Sequence, residues 1–170
     1  MNKMNFIIAL AFAGICAATT LPTKAEEPDK AQLAKSLPTA SVLLDQGLRD
    51  SESQGKPISG KFEIDGNALQ LSVYVTLGDK FSEVIVDHQS GFVKKTETIT
   101  DSDDLKAANA QSQAMSKAKV SLDKAVRDAV TANPGYRAVS VMPTLKANRP
   151  IAEIVLMKGI ESKKVFKPLD

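Results

Sequence analysis

The sequence predicts an α+β fold of two similar units, each a helix packed on a short antiparallel sheet. Three observations carry that prediction. Leu122, Ala125, Val126, Ala129 and Val130 fall at helical spacing and form one apolar stripe, with Lys124, Arg127 and Asp128 opposite. Runs of alternating apolar residues follow, separated by tight Gly-containing turns such as Asp65-Gly66 and Lys158-Gly159. The order of helix then strands occurs twice, about 80 positions apart, so that Ser41 takes the place of Ser121 and Gly55 that of Gly135.

Residues 1–25 read as a secretory signal. Lys3 supplies the positive start, and Phe6 to Ala18 is an apolar run shorter than the about twenty residues a membrane helix needs. Thr23-Lys24-Ala25 puts small residues at the −3 and −1 positions, so cleavage is expected after Ala25, with Ala17 or Ala18 as alternatives. Cys16 does not make a lipoprotein site, because Ile15 stands before it where a small residue is needed. The implied destination is the periplasm or the cell exterior. Removing the signal removes Lys3, Lys24 and no acid, which leaves 20 acidic side chains matched by as many basic ones. It also removes the one cysteine, so the remaining chain forms no internal disulfide and must be held by burial.

Residues 26–38 are polar with Pro28 and are expected to be a mobile lead-in, with a short helix within Lys30 to Lys35 as an option. Residues 39–100 form the first unit. Leu44 and Leu48 mark its helix, which ends near Ser53-Gln54-Gly55. Ile58, Gly60, Phe62 and Ile64 alternate, as do Leu69, Leu71, Val73 and Val75. Gly78-Asp79 and Ser90-Gly91 then turn the chain into Phe81 to Asp87 and Phe92 to Thr100. Residues 101–119 are Ala-rich and lack glycine, and they predict a connecting helix capped by Asp101 or Ser102. Residues 120–170 form the second unit. Ser121 can cap its helix, Pro134 ends it, and Gly135 suits the positive φ common after a helix. Its strands are Arg137 to Thr144, Pro150 to Met157 and Ile160 to Phe166.

Two pieces of this pattern resemble the PepSY domain family. They are Leu122-Asp123-Lys124-Ala125-Val126 followed by Asn133-Pro134-Gly135-Tyr136, and Val86-Asp87-His88-Gln89-Ser90-Gly91. The resemblance covers most of the chain after Leu37. Gly47 inside the first helix and the end at Asp170 without a glycine turn depart from the family pattern. The resemblance implies tandem PepSY-like units. It further implies a non-catalytic secreted protein that restrains peptidases or tunes the extracytoplasmic environment.

The residues themselves offer little catalytic chemistry. His88 is the only histidine, which excludes a two-histidine metal site, and it lies in a turn where a solvated side chain is expected. No Gly-x-Ser-x-Gly elbow, P-loop or GxGxxG occurs. Asp101, Asp103 and Asp104 suit a helix start better than a Ca²⁺ loop, which needs a central glycine and a distal glutamate. No catalytic, cofactor or metal residue is therefore assigned. No basic patch with interleaved aromatics points to nucleic acid. The Lys-rich tail, Lys158, Lys163, Lys164 and Lys167, reads as a solvated strand face rather than a lipid site.

Three functions remain open at this stage. The first is capture of an extended peptide by an exposed sheet edge, with Leu69 to Thr76 and Pro150 to Met157 as candidate strands and an envelope or secreted peptidase as a possible partner. The second is a small-ligand carrier with a pocket between helix and sheet or between the two units. The third is an adaptor or sensory partner of an inner-membrane protein.

Overall fold

A computed structural model describes residues 27–170. The expected signal, its cleavage sites and Cys16 lie outside the described residues. The elements run in the order α1 (Glu27–Ser36), a 3-10 turn (Leu37–Thr39), α2 (Leu44–Asp50), a second 3-10 turn (Glu52–Gln54), β1 (Lys56–Asp65), β2 (Ala68–Leu77), β3 (Lys80–Val86) and β4 (Val93–Thr98). They continue with α3 (Ser102–Ser116), α4 (Leu122–Thr131), β5 (Arg137–Lys146), β6 (Arg149–Lys158) and β7 (Glu161–Pro168).

Two separate helix-on-sheet units are not what these elements build. All seven strands join one antiparallel sheet in the order β4-β3-β2-β1-β5-β6-β7. The merger happens at β1 and β5, the first strand of each meander, where Gly60 pairs with Val141 and Lys61 with Ser140. Left apart, those two strands would each expose a row of unpaired amides and carbonyls. Pairing them joins the two meanders into one sheet over one core cluster. Alternating runs report that a strand exists but not which strand lies beside it, so the sequence pattern fits either arrangement.

Three hairpins are the tight ones expected from their glycine turns: Asp65 pairs with Ala68, Leu77 with Lys80 and Lys158 with Glu161, so two residues make each loop. A fourth, in which Lys146 pairs with Arg149, turns at Ala147 and Asn148, both at positive φ. The β1–β2 ladder slips between Pro57 and Ser59, and the β5–β6 ladder slips between Ala138 and Ser140. The extra residues, Ile58 and Val139, are both buried. These bulges stand at matching places near the starts of β1 and β5 and bend both strands alike.

The two sheet faces carry different partners. A Cβ at Gly60 would lie 3.2 Å from Leu48 Cδ2, so that face meets α2. The neighbouring Ser59 points the other way and donates to Gln111 Oε1 of α3 at 2.7 Å. Helix α4 packs beside α2 on the first face, and α3 crosses β1, β5 and β6 on the second. The first face is the apolar one. Leu44 and Leu48 of α2 share one core with Ile58, Leu71, Val73, Ile154 and Leu156, all at 1% exposure or less. Side chains of this size each contribute roughly 1.5–3 kcal/mol when fully buried. The α4 stripe joins them, with Leu122, Ala125, Val126 and Ala129 buried.

The lead-in is built into this core. Leu37 and Ala40 are buried, and the Arg137 guanidinium donates to the carbonyls of Leu37 (3.0 Å), Ala40 (3.1 Å) and Val42 (3.3 Å). The helix caps divide. Asp101 caps α3 by accepting from the amides of Asp103 and Asp104. Ser121 occupies the N-cap position of α4 but makes no side-chain cap bond there. Its hydroxyl serves Asp123 instead. Burial pushes the Asp123 carboxyl up, yet the bonds from Ser121 and Arg127 outweigh burial and hold it below the usual range.

Candidate functional site

The sheet order settles where an added strand can go. Leu69 to Thr76 lies in β2, hydrogen-bonded on both sides by β1 and β3. Pro150 to Met157 lies in β6, between β5 and β7. Neither offers a free edge, so both candidate strands are corrected. The edges are β4 and β7.

Strand β7 has the more open of the two edges. The two-residue turn after Lys158 makes Lys158–Glu161 a hydrogen-bonded pair, and bonded pairs then recur at every second residue. Glu161, Lys163, Val165 and Lys167 therefore turn their amides toward β6. Ser162, Lys164 and Phe166 turn theirs outward, and Pro168 ends the row because it has no N–H. No strand among the described residues pairs with that outer side.

The side chains around this edge are basic and aromatic. Lys146 Nζ lies 4.0 Å from the Phe166 ring centre, and Lys163 Nζ lies 4.0 Å from the Tyr136 ring centre. Tyr136 donates its hydroxyl to Glu161 Oε1 at 2.5 Å, and that bond raises the Tyr136 phenol above its ordinary value. Lys164 pairs with Glu153 at 2.7 Å. Phe166 remains 47% exposed, although a ring of its size is usually covered. By contrast β4 is shorter and its charges are matched locally, Lys94 to Asp87 at 2.6 Å and Lys95 to Glu97 at 2.7 Å. Gln54 also lies over it and accepts from Thr96 Oγ1 at 3.1 Å.

The sequence holds a mark of this edge. Lys163, Lys164, Lys167 and Pro168 together form the signature of an unpaired outer strand, since lysine and proline are the residues that keep edges from aggregating. The solvated strand face expected there is in fact the rim of an open strand.

Beside the N-terminal end of α3 the second sheet face carries a buried polar cluster. Tyr74 donates to Glu83 Oε1 at 3.2 Å, Ser72 to Glu63 Oε1 at 2.8 Å, and Lys61 pairs with Glu63 at 2.6 Å. Burial raises the Glu83 carboxyl above 4.5, and burial followed by the charges of Glu83 and Glu63 raises the Tyr74 phenol far above 10.0. Tyr74 and Glu83 are both only 4% exposed. An acidic cleft of about 200 Å³, lined by Glu83, Glu97, Asp101 and Asp104, opens beside them. Each of the two carboxylates thus has a bonded partner, as buried polar groups need. No group of three or more His, Cys, Asp or Glu side chains able to hold a metal forms among the described residues.

Two further hollows occur. The larger, about 510 Å³, lies between residues 48–57 and 115–123. Lys56 on its wall donates to the Met115 carbonyl at 3.4 Å. The smaller, about 230 Å³, lies between α2 and α4.

His88 sits in the β3–β4 turn and is half-buried, with Nδ1 covered and unbonded, rather than solvated. The turn itself is organised by Asp87, whose Oδ1 accepts from the amides of Gln89 (2.9 Å) and Ser90 (2.8 Å). Lys94 above all, and then those two amides, hold the Asp87 carboxyl well below the usual range. Gly91 follows at φ +82°, and a Cβ there would meet Asp50 Oδ2 at 2.5 Å. Only glycine fits both constraints.

No protein-family model matches the chain, and no curated protein matches it. A solved structure of a "putative lipoprotein" from Clostridium difficile 630 is similar at 14% identity over 72% of this chain and 80% of that chain, with a TM-score of 0.42. So distant a likeness carries no argument about fold or function. No helix of the described residues is long and apolar enough to cross a membrane.

Proposed function

We propose that this chain is an exported, non-catalytic binding protein that takes an extended segment of another protein onto the outer edge of β7. The observation that carries the reading is the row of outward amides at Ser162, Lys164 and Phe166, unpaired by any strand of the described residues and flanked by an exposed aromatic ring. Strand addition of this kind draws affinity from main-chain hydrogen bonds and selectivity from the neighbouring side chains. Export rests on the secretory character of residues 1–25. The PepSY resemblance adds a finer form, in which the captured segment belongs to an envelope or secreted peptidase that is thereby restrained.

The test is affinity capture on the immobilised protein from an envelope extract, repeated with Lys164→Pro. That substitution removes one outward N–H and leaves the β6–β7 bonds in place. A partner held by the wild type and released by the variant supports the reading, and inhibition of a captured peptidase supports its finer form. A partner held equally by both proteins overturns the β7 edge as the binding surface.

A second reading, a small-ligand carrier, is supported by the hollow of about 510 Å³, which falls in the size range of ligand sites. A thermal-shift screen decides it. A ligand that raises Tm and loses its effect in Met115→Trp, which fills the hollow, favours this reading.

A further inference from the structure

The identity of the bound segment is constrained by what stands on either side of the outward amides, granting the edge reading above. We infer that the strand added to β7 is acidic, with acids on either side of an apolar residue on the face toward α4 and one acid beside an apolar residue on the face toward α3. Toward the α4 face, β7 presents Lys163 and Lys167 on either side of Val165. Toward the α3 face it presents Lys164 beside Phe166, with Lys146 over the ring. Residues directly opposite across an antiparallel pair lie about 4.5–5.5 Å apart, where opposite charges attract and like charges repel. Acids on the incoming strand thus meet Lys163, Lys164 and Lys167, and an apolar side chain meets Val165 or Phe166.

The surrounding charge agrees. Lys146 and Lys158 flank the three strand lysines, while of the nearby acids Glu153 pairs with Lys164, Glu161 accepts from Tyr136 and Asp128 pairs with Lys124. Positive charge remains around the edge for a partner to neutralise. The same lysines disfavour two ways of pairing with a second copy of this chain. Two β7 edges paired about Val165 set Lys163 against Lys167, and two paired about Lys164 set Lys164 against itself. A strand of opposite charge meets no such repulsion in either register.

Fluorescence anisotropy with two labelled eight-residue peptides tests this. Both share a Thr/Val core, and one carries Glu where the other carries Lys. The acidic peptide is expected to bind the wild-type protein about tenfold more tightly than the basic one, from three favourable cross-strand pairs. Its affinity should fall as salt is raised. Lys164→Pro and, independently, Phe166→Pro should abolish binding, with circular dichroism confirming that each variant is folded. The double variant Lys163→Glu, Lys167→Glu should reverse the preference.

Equal binding of both peptides, lost in the proline variants, overturns the acidic partner while leaving the edge reading intact. Acidic-peptide binding that survives both proline variants but not the charge reversal marks a general polyanion surface and overturns both. Concentration-dependent dimers lost in Lys164→Pro also overturn the inference, with a second copy as the occupant. Binding of neither peptide overturns it as well.

Discussion

Gly60 of β1 faces Val141 of β5 across the centre of the sheet, and each is the other's counterpart in the repeated strand order. Strand β1 begins at residue 56 and β5 at residue 137, and the same offset of 81 carries Gly60 onto Val141. An antiparallel ladder that pairs counterparts has a local twofold axis through that pair. The seam thus resembles the self-complementary interface of a symmetric dimer, folded here within one chain. The helices add to it. Arg49 of α2 reaches Asp123 of α4 at 3.6 Å and Asp45 of its own helix at 3.0 Å, while Arg127 of α4 reaches Asp123 at 2.5 Å.

Gly47 of α2 lies close against the sheet. A Cβ at this position would lie 2.5 Å from Leu71 Cδ2, and Leu71 is fully buried with no room to retreat. Alanine in place of a helix-interior glycine ordinarily gains up to about 1 kcal/mol. Overpacking a closed core costs about 1–3 kcal/mol. The second effect wins, so Gly47→Ala is expected to lower the urea midpoint, and Leu71→Val in the same chain should return part of the loss. A Gly47→Ala protein more stable than wild type would mean that Leu71 yields freely and that α2 is not pinned at this contact.

The α4 stripe gives a paired comparison on one helix. Val126 is 1% exposed within the core, whereas Lys124 is more than half exposed and paired with Asp128 at 2.7 Å. Val126→Asp places an unpaired charge in an apolar layer and is expected to cost several kcal/mol, about 3–5. Lys124→Asp exchanges one surface pair for a mild repulsion and should cost no more than about 1 kcal/mol. Thermal melts of both variants measure the contrast. Equal Tm losses would sink the packing of α4 on the sheet.

What the sequence made legible was local. Leu122, Ala125, Val126 and Ala129 identify α4 because helical periodicity is a property of neighbours along the chain, and all four are buried. Gly66, Gly78 and Gly159 identify three hairpins for the same reason, each taking the positive φ its turn requires. The joining of β1 to β5 was not legible, since Gly60 and Val141 are brought together by no turn and no motif. The open edge was half legible. Lys163, Lys164 and Lys167 advertise an outer strand, but the apolar alternation of Leu69 to Val75 and Ala152 to Leu156 reads the same in the interior as at a one-sided rim. Nor did alternation announce the Tyr74–Glu83 pair, because period two places polar residues outside and says nothing of what later covers them.

That covered pair has a pH signature. Glu83 carries a carboxyl raised by burial above its ordinary 4.5, with the Glu63 charge adding to the rise. A group whose folded pKa is raised contributes stability that is fully present below its unfolded pKa and is lost as pH rises through the folded value. As pH rises from 4 toward 7, the stability contributed by protonated Glu83 is therefore drawn down. Glu83→Gln keeps an oxygen to accept from Tyr74 and removes the charge. The variant should be more stable than wild type at pH 7, with the difference shrinking toward pH 4. Asp123 and Asp128 act in the opposite sense, since their lowered carboxyls contribute stability that is lost in acid. Because both proteins share them, the variant-minus-wild-type Tm across pH isolates Glu83. A difference that stays flat from pH 4 to 7 would show that Glu83 is not buried as a charge beside α3.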